Sequence, residues 1–280
     1  MTPALPSLAE ASRAIGTGAL SPVELTEQAL DRVAALDPML NAFILVTADR
    51  ARAAAAAAEM EIKAGRRRGP LHGIPYALKD IYDVAGLRTS CHSRQCLDHV
   101  ADADAETTRR LEAAGMVLLG KLSTHEFARG GPTDVLPFPN AKNPWDPARF
   151  AGGSSSGSGA AVAAGLVAMA MGSDTGGSIR LPAAYCGVVG LKPTYGLVSR
   201  RGIFPLSFTL DHAGPRTRSV EDCAMAMQAL AGHDPGDPGS ADEPVPDYVA
   251  TLGAGVSGLT IGRARSYDIE SGVDAETLDA

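Results

Sequence analysis

Ala151-Gly-Gly-Ser-Ser-Ser-Gly-Ser-Gly159, an apolar segment from Ala160 to Met171, and Gly172-Ser-Asp-Thr-Gly-Gly-Ser-Ile-Arg180 follow one another without interruption. Two glycine–serine turns thus bracket one short hydrophobic stretch. Glycine lacks a Cβ, so backbone amides in such turns can approach a ligand closely. The serine hydroxyls beside them are candidate nucleophiles. Together the turns supply a nucleophile and a site for an oxyanion. Upstream, Tyr76-Ala-Leu-Lys79-Asp80 is apolar up to its lysine. A lysine buried among such residues gives up its proton more easily and can serve as a base.

Outward from these segments, the chain alternates helix and strand signals. Ser21-Pro-Val-Glu24 reads as a capping box with proline at the first helical position, and Leu25, Ala29, Leu30, Val33 and Ala34 share one face of the helix that follows. Thr47 to Ala64 is alanine-rich and helical, and Gly65 ends it. Tyr76 to Leu78 predicts a short strand, Asp104 to Ala114 a helix, and Met116 to Leu119 a buried strand. Ser219 caps a further helix, with Asp222 near its third position. Such alternation indicates an α/β fold with a largely parallel or mixed sheet. Residues 1–70 are expected to form an N-terminal helical layer and 71–231 a core. The Asp-, Pro- and Gly-rich stretch 232–246 is expected to be a surface linker. Leu259 to Gly262 predicts another strand, and a helix is expected from Asp274. The reading is one domain over 1–280, incomplete at its C-terminus.

The chain has 280 residues, 45% of them hydrophobic and 20% charged, enough for a large core. Its 31 glycines and 19 prolines fit a loop-rich α/β protein better than a helical bundle. A net charge of −7 argues against a basic nucleic-acid-binding face, and Arg66-Arg-Arg68 reads as a solvated helix end. No stretch has the pattern of a signal peptide, and Ala160 to Met171 is too short to span a bilayer. Cys91, Cys96, Cys186 and Cys223 form no C-x-x-C pair and fit no zinc spacing, so free thiols in a reducing cytoplasm are expected. Cys186 sits in an apolar setting that suits packing.

The three segments are joined, in order, by Gly73-Ile-Pro75, Gly86-Leu-Arg-Thr89, Gly120-Lys121, Asn143-Pro-Trp145, Pro182-Ala-Ala184 and Gly190-Leu-Lys-Pro-Thr194. This set resembles the amidase signature family, whose motif also separates its two serines by the 24 residues found here between Ser154 and Ser178. The resemblance runs from about Leu20 to the end of the chain. It implies a mixed sheet flanked by helices on both faces, and hydrolysis of a small-molecule amide through an acyl-enzyme. Lys79 then resembles the base and Ser178 the nucleophile. Ser154 resembles the bridging serine, joined to Gly153 by a cis peptide. The amides of Thr175, Gly176, Gly177 and Ser178 would form the oxyanion hole. Ser155, Ser173, Asp174 and Arg180 would brace the site, and Arg129 beside Gly130 would line the acyl pocket. No metal and no organic cofactor is implied, and a homo-oligomer is compatible with it. The chemistry demands a deprotonated lysine, although an exposed one titrates near about 10.4 and each unit of depression costs about 1.4 kcal/mol. Asp80 and Asp83 would oppose that if they pointed inward.

Two branches of the family remain open. One is the stand-alone amidase. The other is the A subunit of the glutamine-dependent aspartyl/glutamyl-tRNA amidotransferase, which works with partner subunits and tRNA. His125 stands where that branch has aspartate and Arg129 where it has methionine, which favours the stand-alone reading. Outside the family, Gly153-Ser-Ser-Ser-Gly157 matches the G-x-S-x-G elbow of serine esterases, centred on Ser155. That elbow needs a preceding strand, and Asn143 to Arg149 is proline-broken. A phosphate cradle is the remaining alternative, but no G-x-x-x-x-G-K-[ST] is present. His72, His92, His99, His125, His212 and His233 are scattered and read as structural. Arg129 has its own plainer reading, a surface pair with Glu126.

Overall fold

Two serines open the first two helices by the same device. The Ser7 hydroxyl accepts from the Glu10 amide and the Glu10 carboxylate accepts from the Ser7 amide, starting α1 (Leu8–Thr17). Ser21 and Glu24 repeat the arrangement at α2 (Pro22–Leu40), with Pro22 at a position whose N–H has no helical partner anyway. Leu25, Ala29, Leu30 and Val33 lie on the buried face of α2, as their spacing predicts, whereas Ala34, expected on the same face, is exposed. Burial of each leucine contributes roughly 1.5–3 kcal/mol. The computed structural model describes residues 5–260, 262 and 276.

After α2 come β1 (Phe43–Val46) and α3 (Ala48–Lys63), whose Ala51, Ala55 and Ala58 face inward. β2 (Pro75–Lys79) is buried at every residue, because it lies between two parallel neighbours. Those neighbours are β3 (Val117–Leu122), which follows α4 (Glu106–Ala113), and β4 (Met169–Asp174), which follows α5 (Ser156–Ala163). α6 (Arg180–Cys186), β5 (Val189–Gly190), β6 (His212–Thr217) and α7 (Val220–Leu230) complete the α-helices and strands among the described residues up to Val249. The sheet has the order β1-β3-β2-β4-β6-β5. Its centre is parallel, and β1, β5 and β6 join antiparallel. Helices flank this mixed sheet, so the fold is α/β. α2 and α3 pack on each other and onto β2 and β3, α5 packs on β4, and α7 on β6. Because β2 and β4 are parallel, their C-terminal ends open on one edge, where α/β sheets commonly receive ligands.

The apolar run Ala160 to Met171 divides between the end of α5 and the start of β4, a split that hydrophobicity alone does not reveal. β6 carries Pro215 at its middle, opposite Met171, where proline usually argues against a strand. Residues 232–246 are irregular, but they are not a free linker. Asp234 accepts from Arg201 Nε (2.9 Å) and Ser199 Oγ (2.6 Å), and Asp237 from Arg200 Nη2 (2.9 Å). Both aspartates are buried.

The chain divides into two compact units, Met1–Val249 and Ala250–Ala280. All the elements above belong to the first. In the second, Leu252–Ala254 form one 3-10 turn. The strand expected at Leu259 to Gly262 is not formed at Leu259, Thr260 or Gly262. Ile261 and most of the helix expected from Asp274 lie outside the described residues. No helix among the described residues is long and apolar enough to cross a membrane.

Candidate active site

Lys79 ends β2 with no exposed surface. Its Nζ donates to Ser154 Oγ (2.7 Å) and Ser173 Oγ (2.8 Å). Burial pushes the ammonium well below its ordinary range. The Arg216 guanidinium adds to that push, and Asp211, Asp174 and Cys91 oppose it. Asp80 does not reach the site. Successive strand residues point to opposite faces, and in this register Leu78 pairs with Lys121 while Lys79 pairs with Leu122. Asp80 therefore faces the same way as Lys121 and binds its Nζ at 3.0 Å, with Ser90 and Thr89 completing the cluster.

Ser154 is joined to Gly153 by a cis peptide bond. The Ser154 carbonyl accepts from the His125 amide at 2.9 Å. Gly153 has to be glycine, because a Cβ there would collide with the His125 ring. That ring stacks on Phe150, and its Nδ1 bonds the Gly130 carbonyl at 2.8 Å. A carbonyl only accepts, so Nδ1 carries the proton and Nε2 is a bare acceptor. Nε2 is buried without a partner among the described residues. Burial holds the His125 pKa below its ordinary value.

The turn from Asp174 to Arg180 is organised around one carboxylate. Asp174 accepts from the amides of Gly177 (2.8 Å), Ile179 (3.0 Å) and Arg180 (3.3 Å), and from Arg180 Nε (3.0 Å) and Nη2 (2.9 Å). Burial by itself would raise this acid, but the guanidinium and the amides outweigh it and hold it at about 2. The Gly177 N–H is thus committed to Asp174. The amides of Thr175, Gly176 and Ser178 donate to no acceptor among the described residues. Ser178 is half-buried, and no hydrogen bond among the described residues joins its Oγ to Ser154. The structure therefore links Lys79 to Ser154 directly and brings in Ser173 as a second partner. Its Ser178 stands in the braced turn without a bond to that pair.

Ser155 is fully buried, and both bonds of its hydroxyl run to the Ser173 backbone (3.2 and 3.3 Å). No strand runs directly into it, since residues 151–155 are irregular, so the esterase elbow is set aside. Cys186 is packed with its thiol against the Ala151 carbonyl and is pushed up to about 11 by burial. Beside Ser173 lies a cavity of about 450 Å³, walled by Ile203, Phe204, Leu206, Phe208, Asp211 and His212. Arg129 is exposed and lines a different cavity with Glu126, Gly130 and Gly131; Phe204, Pro205 and Leu206 border both. Sequence reasoning missed Tyr82, Asp211 and Arg216 around this centre. Nothing in their local pattern marks Asp211 or Arg216, which the fold brings to Lys79 from far along the chain, and Tyr82 lies three residues past Lys79 without any motif of its own. Among the described residues, no group of three His, Cys, Asp or Glu is placed to hold a metal ion.

Comparison with known proteins gives a consistent result. The family model described as Amidase matches residues 24–280. The A subunit of the glutamyl-tRNA(Gln) amidotransferase of Anaeromyxobacter sp. (strain K) is 47% identical over 268 residues, which cover 96% of this chain and 54% of that protein. Its counterpart in Moorella thermoacetica (strain ATCC 39073 / JCM 9320) is 50% identical over 248 residues, 89% of this chain and 51% of that one. Among solved structures, native peptide amidase from Stenotrophomonas maltophilia aligns with a TM-score of 0.83 at 44% identity, covering 88% of this chain and 52% of its own. The chain spans about half the length of the curated relatives it matches.

Proposed function

Since this chain belongs to the amidase family, we propose that its gene product hydrolyses a carboxylic amide through an acyl-enzyme on Ser178. The observation that carries the reading is a lysine without exposed surface, 2.7 Å from a buried serine hydroxyl at the end of a central strand. With Lys79 neutral, the Ser154 hydroxyl turns to donate to its lone pair at the same separation. Ser178 Oγ attacks the carbonyl carbon as its proton passes to Ser154 and that of Ser154 to Lys79. The oxyanion is met by the free amides of Thr175, Gly176 and Ser178, each worth about 3 kcal/mol in the transition state. Collapse breaks the C–N bond, and the proton returns through Ser154 to the leaving ammonia or amine. Water then attacks the ester along the same relay, releasing the acid and restoring Ser178. Ser155, Asp174 and Arg180 hold the turn. The substrate is a small-molecule amide, and no cofactor enters. Four free thiols suit a reducing compartment, and we place the protein in the cytoplasm.

The second reading is the A-chain role in an amidotransferase, releasing ammonia from glutamine beside partner subunits and tRNA. Relatives of that name, at 47% and 50% identity, support it. His125 and Arg129 favour the stand-alone amidase. Treatment of the gene product with a fluorophosphonate should modify Ser178, and Ser178→Ala should abolish the labelling. Modification at Ser155 or Cys186 in its place would overturn the assignment. A turnover screen of small amides against glutamine then separates the branches: glutamine turnover confined to the presence of partner subunits selects the second.

A further inference from the structure

Arg216 is fully buried on β6, opposite Ala170 of β4. A buried guanidinium costs several kcal/mol unless it is paired and hydrogen-bonded. Among the described residues no carboxylate pairs with it, and Asp174, whose charge it feels, is already bound by Arg180. Its donors go instead to the backbone of the serine turn. Nη2 donates to the carbonyls of Ser178 (2.5 Å) and Ile179 (3.1 Å), and Nε to Ile179 (3.2 Å). Nη1 has no partner among the described residues and lies against Gly172, where any Cβ would collide with it. The carbonyl of Gly172 is held in turn by Tyr82 Oη at 2.5 Å.

A peptide unit is planar. The unit after Ser178 has its carbonyl on Arg216 and its N–H on Asp174 Oδ2 at 3.0 Å. It is thus gripped at both ends by opposite charges, which fixes how the Ser178 side chain leaves the backbone. The same guanidinium acts on Lys79 as a like charge. We propose that Arg216 is a positioning residue: with Asp174 it clamps the peptide plane that follows Ser178. The inference rests on Ser178 being the nucleophile.

The test is the rate of fluorophosphonate labelling at Ser178 against pH, on the whole gene product. Arg216→Lys keeps the charge and loses the fork. Its rate should fall about ten-fold or more with the pH midpoint in place, a fraction of the roughly 10²–10³ that loss of one oxyanion donor costs. Arg216→Gln loses the charge as well, and its rate should fall at least as far. Folded variants that label at the wild-type rate overturn the proposal. If the Gln variant does not fold, a wild-type rate in the Lys variant overturns the clamp. The clamp is also read without substitution: the Ile179 amide should exchange with deuterium as slowly as the amides of β4, and fast exchange overturns it. A wild-type protein that never labels at Ser178 refutes the nucleophile assignment instead, and the exchange measurement still judges the clamp.

Discussion

Lys79 and Lys121 stand on neighbouring parallel strands, one register step apart, and neither has any exposed surface. Their surroundings differ completely. Lys121 meets the Asp80 carboxylate at 3.0 Å, with Thr89 Oγ1 and the Arg88 carbonyl as further acceptors. Lys79 meets two serine hydroxyls and the field of a guanidinium. Depth in the core is common to both, and the neighbours differ: Lys121 has a carboxylate at contact distance, whereas at Lys79 burial, with the Arg216 charge added, favours the neutral amine. The single-residue alternation of β2 separates the two environments, since it sends Asp80 to the face of Lys121 and away from Lys79.

Replacing each lysine by methionine sharpens the contrast most. Lys79→Met should lower fluorophosphonate labelling of Ser178 by about 10²–10⁴, the usual contribution of a positioned base. Lys121→Met strands the buried Asp80 and should cost about 3–5 kcal/mol of stability. Below its melting temperature it should keep most of its labelling. Denaturant titration and labelling rates on both variants check this. Equal loss of labelling in the two, with equal loss of stability, would erase the distinction.

The pH response follows with the sign set by Lys79. Its folded pKa lies well below the unfolded value of about 10.4. Labelling should rise with pH along one limb whose midpoint lies well below that value, and the limb should vanish in Lys79→Met. Stability moves the same way. Between the folded and unfolded pKa values the unfolded chain binds more protons, so the fold gains stability as pH rises through that window. Asp174 has a linkage of the same sign in a lower window. Held at about 2 against an ordinary 3.8, it contributes stability above the latter value and loses it as pH falls through the former. A labelling limb centred near about 10.4 would show that Lys79 is not a depressed base.

These elements are not equally legible in the sequence. Ser21 with Glu24, and Ser219 with Asp222, state their helix starts locally, so α2 and α7 are readable. The strand ending at Lys79 is readable from its apolar run, and both glycine–serine turns from their composition. Asp80 reads in the sequence as a threat to the base, because its direction depends on the sheet register with β3. Arg216 escapes notice since it lies in a strand interrupted by Pro215, and its acceptors are backbone carbonyls 37 and 38 residues away. Residues joined only by strand pairing leave no mark on their neighbours in the chain. The commitment of the Gly177 amide to Asp174 is of the same kind, a contact that composition cannot assign.

Arg129 extends the comparison to a third cation, now at the exposed rim. The surface pair with Glu126 is not formed: the Arg129 amide donates to the Glu126 carbonyl at 2.9 Å, but among the described residues its guanidinium makes no ion pair. It lines a cavity separated from the Ser173 cavity by the shared wall Phe204 to Leu206. A guanidinium in that place offers a planar fork to a carboxylate arriving from solvent. We expect the gene product to prefer amides bearing an acidic group, and Arg129→Met to reduce that preference by about 2 kcal/mol, the worth of a charged hydrogen bond. Because the cation is exposed, salt should weaken the preference, whereas the buried contacts of Lys79 and Lys121 should be nearly indifferent to it. Competition between an acidic and a neutral amide, run at low and high salt on both forms, measures this. Equal turnover of the two amides by both forms would mean that selection lies elsewhere along the rim.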